Sequence, residues 1–130
     1  MPNVAGVCSD TRRSTGARGE QLAAEHLARR GYEIVERNFR TRWGELDIVA
    51  RDGETLVFCE VKTLLTRPGA RDPLDAIRHG KRVQIRRMAA QWLVERRERP
   101  RAQELRFDAV GVTIDPAGSL LALEHLEGAF

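Results

Sequence analysis

Asp52-Gly53 lies between two runs of β-forming character, Trp43–Ala50 and Val57–Thr63, and this arrangement restricts the fold more than any other feature of the chain. An Asp-Gly pair supplies the backbone conformation of a tight hairpin turn, so the runs are expected to pair as antiparallel strands, with Arg51 and Glu54 flanking the turn. The first run alternates polar and apolar residues, the second is rich in β-branched and aromatic ones, and side chains two apart share a face. Leu46, Ile48 and Ala50 then lie on one face and Glu45, Asp47 and Val49 on the other, while Glu60 and Lys62 share a face of the second strand. Pairing across the turn is expected to bring Asp47 beside Glu60.

The rest of the chain adds a helix before this hairpin and a helix and two strands after it. Residues 1–15 mix Pro, Gly, Ser and charge without period and read as a flexible tail, leaving 16–130 as a single domain. A helix is expected from about Ala17 to Arg30, closed by Gly31, with Glu20, Ala23, Ala24 and Leu27 along its inward stripe. Tyr32–Phe39 reads as the first strand. Asp72 and Pro73 start a second helix that runs to about Glu98, before Pro100, with Leu74, Ile77, Ile85, Met88, Ala89, Trp92 and Leu93 on one side. Lys81 interrupts that stripe, facing the sheet unless its stem snorkels outward, and Gln84 lies one turn on. Two strands follow, Leu105–Ile114 and Leu120–Leu126, joined by a turn at Asp115-Pro116-Ala117-Gly118. The predicted order α-β-β-β-α-β-β implies an α/β fold with a mixed five-stranded sheet flanked by two main helices. Trp92 reads as core and Trp43 as cover for the rim of a site.

Charge and chemistry point towards phosphate. The chain of 130 residues carries a net charge of +3. Between Arg71 and Arg101, ten basic residues stand against four acidic ones, a local +6 that leaves −3 for the remainder. Such a segment is either a phosphate-binding surface or a solvated helix face. Arg78, Arg82 and Arg86, at successive i+4 positions, form an expected phosphate rail. Asp47 and Glu60 offer hard oxygen ligands of the kind that hold Mg2+, which neutralises charge on a phosphoryl group under attack, and a neighbouring Lys62 can orient the attacking water. Cys8 and Cys59 form no zinc pattern, and His26, His79 and His125 are scattered. No apolar stretch approaches the roughly 20 residues of a membrane span and no signal peptide is evident, so a cytoplasmic protein without a membrane partner is expected.

Several segments together resemble a known family. Gly16-Ala-Arg-Gly-Glu20, Gly31-Tyr32, Arg37-Asn38, Gly44-Glu45-Leu46-Asp47, Phe58-Cys59-Glu60-Val61-Lys62-Thr63 and Arg106-Phe107-Asp108 look like the YraN family of small bacterial proteins, over about residues 16–126. That family is itself similar to archaeal Holliday-junction resolvases and to the restriction-endonuclease-like superfamily. The resemblance implies a nuclease-like domain in which Asp47, Glu60 and the main-chain carbonyl of Val61 ligate Mg2+ or Mn2+. It implies that Lys62 positions the nucleophilic water, that Glu20 is the third acid, and that Glu45 is a lesser candidate. Lys81, Gln84, Arg78, Arg82 and Arg86 would then face the nucleic acid. The family often has a basic residue soon after the lysine motif, where this chain has Leu64-Leu65, and the superfamily's proline before the first acid is absent. The expected function is a metal-dependent endonuclease acting on DNA, with branched or recombination intermediates as the substrate class. The alternative is a non-catalytic nucleic-acid-binding module that keeps the fold; a third reading leaves only surface ion pairs. The resolvase-like relatives act as pairs, which extends the resemblance to a homodimer, although no sequence feature requires one.

Overall fold

The computed structural model describes residues 4–66 and 81–130, with side chains from Ser14 in the first segment and from Val83 in the second. Helix α1 (Val4–Arg29) leads into strands β1 (Glu33–Thr41), β2 (Gly44–Asp52) and β3 (Thr55–Leu65); helix α2 (Lys81–Glu95) precedes β4 (Glu104–Ile114) and β5 (Leu120–Leu126). The order and the α/β class are those expected from the sequence. The strands form one sheet in the order β1-β2-β3-β4-β5, antiparallel throughout except for the parallel pair β3 and β4. A parallel pair requires a crossover, and the segment containing α2 supplies it.

The helices cover opposite faces. Leu22, Ala23, Ala24 and Leu27 of α1 pack on Ile48, Ala50, Val57, Cys59, Val110 and Val112. Ile85, Met88, Ala89 and Trp92 of α2 pack on Phe39, Leu46, Val49, Leu56, Phe58 and Phe107. Both helix stripes were legible as apolar residues three and four apart. Gly31 ends α1 at φ 90°, with Tyr32 N–H donating to Leu27 O and Gly31 N–H to Ala28 O, both at 3.0 Å. This is the Schellman arrangement, which favours glycine because no Cβ opposes the left-handed conformation.

Two expectations need correction. First, α1 begins at Val4 rather than near Ala17, so the stretch from Val4 to Thr15, expected as a tail without regular structure, is helical. No proline follows Pro2 until Pro68, and an isolated glycine such as Gly6 or Gly16 costs about 1 kcal/mol relative to alanine without ending a helix. Second, the strict alternation expected for β2 breaks at Asp47. Leu46 and Val49 face α2, whereas Ile48 and Ala50 face α1. Asn38 lies between the β1 residues that pair with Ile48 and Leu46, and so directly across from Asp47; it holds φ at 58°. A left-handed residue inside a strand shifts the phase of alternation, and Asn tolerates that conformation better than most.

The second helix is described from Lys81 and ends at Glu95, three residues before the expected limit. Its expected start at Asp72-Pro73, with Leu74, Ile77 and Arg78, lies outside the described residues, as do the side chains of Lys81 and Arg82. Among the described residues, no helix is long and apolar enough to cross a membrane.

Candidate metal centre

The kink opposite Asn38 decides where the acids go. The β2–β3 ladder runs from Asp52↔Thr55 to Ile48↔Cys59 and stops there. The same register carried one step further sets Asp47 opposite Glu60. Instead of continuing the ladder, Asp47 uses its side chain: Oδ2 accepts the Val61 N–H at 2.7 Å. The strands thus separate around a carboxylate that replaces a missing main-chain acceptor. Val61 enters the site through its N–H.

Helix α1 brings the second acid. Gly19 is buried, and a Cβ placed on it would lie 1.7 Å from Thr63 Oγ1. Only glycine lets the helix backbone descend this closely onto β3, and the following residue, Glu20, is thereby delivered to the strand opening. Glu45 joins from the start of β2. One oxygen each from Glu20, Glu45 and Asp47 lie within 4.8 Å of one another, with Asp47 the most enclosed. The Asn38 side-chain amide donates to Glu45 Oε1 at 2.6 Å and to Glu20 Oε2 at 2.7 Å, which fixes the two glutamates relative to each other.

The electrostatics of the group are unfavourable without a cation. Two carboxylates 4.8 Å apart repel by about 3 to 4 kcal/mol at an effective dielectric near 20. Burial pushes the Asp47 carboxyl up to about 8, with the Glu60 charge next in importance and those of Glu20 and Glu45 adding to it, against the Val61 N–H that favours the ionised form. Glu20 is also raised, first by burial and then by Glu45, while the Arg37 guanidinium and a hydrogen bond from Asp47 oppose the shift. Without a cation the cluster therefore favours holding a proton among the carboxylates of Asp47 and Glu20. Oxygens around an octahedral Mg2+, at about 2.1 Å from the ion, stand about 3 Å apart in cis and about 4.2 Å in trans. The three oxygens, already within 4.8 Å of one another, would draw together around an ion to reach that geometry, and their all-oxygen chemistry suits Mg2+ or Mn2+ over zinc.

The remaining expected site residues divide. Glu60 is half-buried on β3 and is the strongest charged neighbour of Asp47. Lys62 is exposed, two residues further along the same strand, and pairs with Gly111 of β4. Gln84 donates its amide to the Trp43 carbonyl and so holds the β1–β2 turn. Arg86 stacks on Phe107, 4.4 Å from its ring centroid, and donates to Phe130 O at 3.0 Å, which ties α2 to the chain end. Gly19, Asn38 and Arg37 had no role in the reading of the residues. They lie in segments that carried the family resemblance, so a signal existed without a physical interpretation.

Asp108 has a different task. It is fully buried, and its two oxygens accept from Arg106 Nε and Nη2 at 2.9 Å each and from Gly128 N at 3.0 Å, with His125 Nε2 at 2.8 Å. Burial alone would raise this carboxyl, but the bonds from His125, Arg106 and Gly128 hold it below its ordinary range. Four partners saturate a carboxylate, so Asp108 is a structural anchor joining β4, β5 and the chain end.

A cavity of about 820 Å³ lies at the opposite end of the sheet, among Glu54, Leu93, Arg97, Arg101 and Leu105, and takes no part in the acid cluster.

A family model described as "Uncharacterised protein family UPF0102" matches residues 19–112. A UPF0102 protein of Frankia alni is 48% identical over 117 residues, covering 88% of this chain and 92% of its own. One of Nocardia farcinica is 44% identical over 119 residues, covering 92% and 91%. One of Geobacter metallireducens is 43% identical over 118 residues, covering 91% and 93%.

Proposed function

The chain belongs to UPF0102, the uncharacterised family towards which the YraN-like motifs pointed, and from that premise we propose that it is a metal-dependent endonuclease hydrolysing phosphodiester bonds in DNA. The observation that carries the reading is the convergence of Glu20, Glu45 and Asp47 within 4.8 Å in surroundings that penalise their combined charge. Side chains held against their own electrostatics are a mark of a functional site, because stability alone would select against them. Glu60 on the adjoining strand acts on Asp47 by its charge, and Lys62 follows it two residues on, which is the spacing the resemblance to restriction-endonuclease-like proteins leads us to expect.

In this reading Asp47 and Glu20 hold the cation, with Glu45 or Glu60 completing the protein ligands. A bound Mg2+ or Mn2+ supplies charge neutralisation for a phosphoryl group under attack. The chain's residues supply the remaining chemistry. Asp47 must lose its proton before it can ligate, and the Val61 N–H keeps its second oxygen oriented. Asn38 holds Glu20 and Glu45 in register. Lys62, exposed on β3 two residues after Glu60, would orient the attacking water and offer positive charge to the phosphate. The basic surface of α2 contributes a sequence-independent grip on the backbone. Branched or recombination intermediates are the preferred substrate class on the strength of the resemblance, and a symmetric pair of subunits would suit two-strand cleavage.

The test is cleavage of end-labelled linear and four-way branched DNA with Mg2+ or Mn2+, beside Asp47→Asn and Lys62→Ala. Cleavage by the wild type alone, with both variants folded and still binding DNA, is the expected outcome. Binding that is salt-sensitive but never followed by cleavage would replace this reading with that of a non-catalytic DNA-binding module.

A further inference from the structure

Among the described residues, Trp43 is the one large aromatic side chain at the acid-cluster end of the sheet that is not enclosed in the core. It occupies the tip of the β1–β2 hairpin, two residues before Glu45, and so at most roughly 7 Å of chain separates it from an acid of the cluster. It rests against the α2-side core but stays partly exposed. The Arg42 guanidinium lies 4.5 Å from its ring centroid and that of Arg87 lies 6.0 Å away. Both arginines are exposed.

The hairpin tip that carries the indole is held firmly. The Trp43 main-chain N–H donates to Thr41 Oγ1 at 3.0 Å, the Thr41 hydroxyl donates to Gly44 O at 2.9 Å, and Gln84 secures the Trp43 carbonyl from α2. A Cβ at Gly44, whose φ is 132°, would meet Gln84 Nε2 at 3.0 Å, so the turn and the helix are closely fitted. A side chain needed only to cover the core would not require its backbone pinned from two elements or a pair of arginines on its ring. An anchored aromatic surface flanked by cations is what a single-stranded nucleic acid uses: the base stacks on the ring and the arginines meet the phosphates.

We infer that Trp43, with Arg42 and Arg87, is a stacking platform for an unpaired nucleobase next to the acid cluster, making DNA with single-stranded character at the cleavage point the preferred ligand. A paired base inside a duplex presents only its edge and cannot lie on the indole. The inference rests on the endonuclease reading for its account of why the platform adjoins the acids, but base binding itself needs neither metal nor turnover.

The experiment follows tryptophan emission of the full chain in EDTA, titrated with single-stranded oligothymidylate and, separately, with a hairpin duplex of equal length. Trp92 is 1% exposed, so quenching by a stacked base reports Trp43. Saturable quenching by the single strand and not by the duplex is expected. Trp43→Ala should weaken single-strand affinity roughly five- to hundred-fold, as loss of one base–aromatic stack does, with duplex affinity unchanged. Trp43→Phe keeps a ring over the core and should retain most of the affinity while losing the emission change. Single-strand binding without quenching, equal loss of duplex and single-strand affinity in folded Trp43→Ala, or no binding at all would overturn the inference. Stacking in EDTA with no cleavage in Mg2+ would instead refute the endonuclease reading and leave the platform standing; cleavage without stacking would do the reverse.

Discussion

Replacing Asp47 with asparagine should make the metal-free protein more stable. The Asp47 carboxyl is raised from an ordinary 3.8 to about 8 by burial and by Glu60, Glu20 and Glu45. A carboxyl with a raised folded pKa holds its proton more tightly in the native state. The stability associated with that neutral form is complete below the unfolded pKa and declines as pH rises through the folded one. Between about pH 4 and pH 8 the unfolded chain gains from ionising while the native one does not. At pH 7 this linkage amounts to about 4 kcal/mol at 1.36 kcal/mol per unit, and relaxation of the partly exposed site reduces it to an order of 2 to 4 kcal/mol. Asparagine resembles the protonated acid: its carbonyl can still accept the Val61 N–H and its amide can donate to Glu20. Urea unfolding in EDTA from pH 4 to pH 8.5 should show the variant ahead by that margin at pH 7, with the two curves meeting near pH 4. Addition of Mg2+ should reverse the order, since the variant lacks one of the three clustered carboxylates that would hold the ion. A variant that is neutral or destabilised at pH 7 in EDTA, or that shows the wild-type pH slope, would refute the electrostatic account of the cluster.

Gly19→Ala should lower stability by about 1 to 3 kcal/mol, the usual cost of overpacking, and abolish Mn2+ binding measured by calorimetry. Thr63→Gly should restore both, whereas Thr63→Ala should not, because its Cβ still lies 2.7 Å from the new methyl. Asn38→Val should destabilise the protein by about 1 to 2 kcal/mol more than Asn38→Gly in thermal unfolding; Asn38→Gly keeps the kink but should weaken Mn2+ binding by loosening Glu20 and Glu45. Asp108→Ala should cost about 3 to 5 kcal/mol in urea unfolding, because it leaves Arg106 and His125 facing a buried gap. As the Asp108 carboxyl is lowered in the folded state, its contribution should persist above pH 4 and fade on further acidification, a slope the variant should lack.

Much of this architecture can be read in one dimension because its signals are local. Asp52-Gly53 determines a hairpin whatever surrounds it, and the register through that turn directs Asp47 towards Glu60. The α1 and α2 stripes follow from spacing alone. The kink at Asn38 was harder to see, since a single left-handed residue changes the phase of a strand without altering its composition. Alternation consequently put Leu46 and Ile48 on one face, where the sheet separates them. Gly19 shows the same limit in another form: its significance is the 1.7 Å that would remain to Thr63, a distance between residues far apart in the chain. Glu45 was ranked below Glu20 by resemblance, yet it belongs to the same tight group, because the amide of Asn38 draws the two together. Gln84 and Arg86 illustrate a different difficulty. Their positions on α2 were foreseen, but the Trp43 and Phe130 carbonyls that engage them were not, since neither partner is near them in sequence.

The parallel contact between β3 and β4 has a consequence for how the molecule is made. Thr55 pairs with Glu104, 49 positions later, and the match continues without interruption to Leu65 and Ile114. Every residue assigned to the acid cluster has been synthesised by Lys62, but the strand bearing Glu60 and Lys62 has no partner on its far side until Glu104 and its successors arrive. Distant pairing of this kind forms late, because a long loop must be closed before its contacts repay the lost freedom. The acid cluster is therefore complete in sequence well before it is complete in space, and on the metal-dependent reading a growing chain should acquire cation affinity only once β4 has emerged and paired with β3.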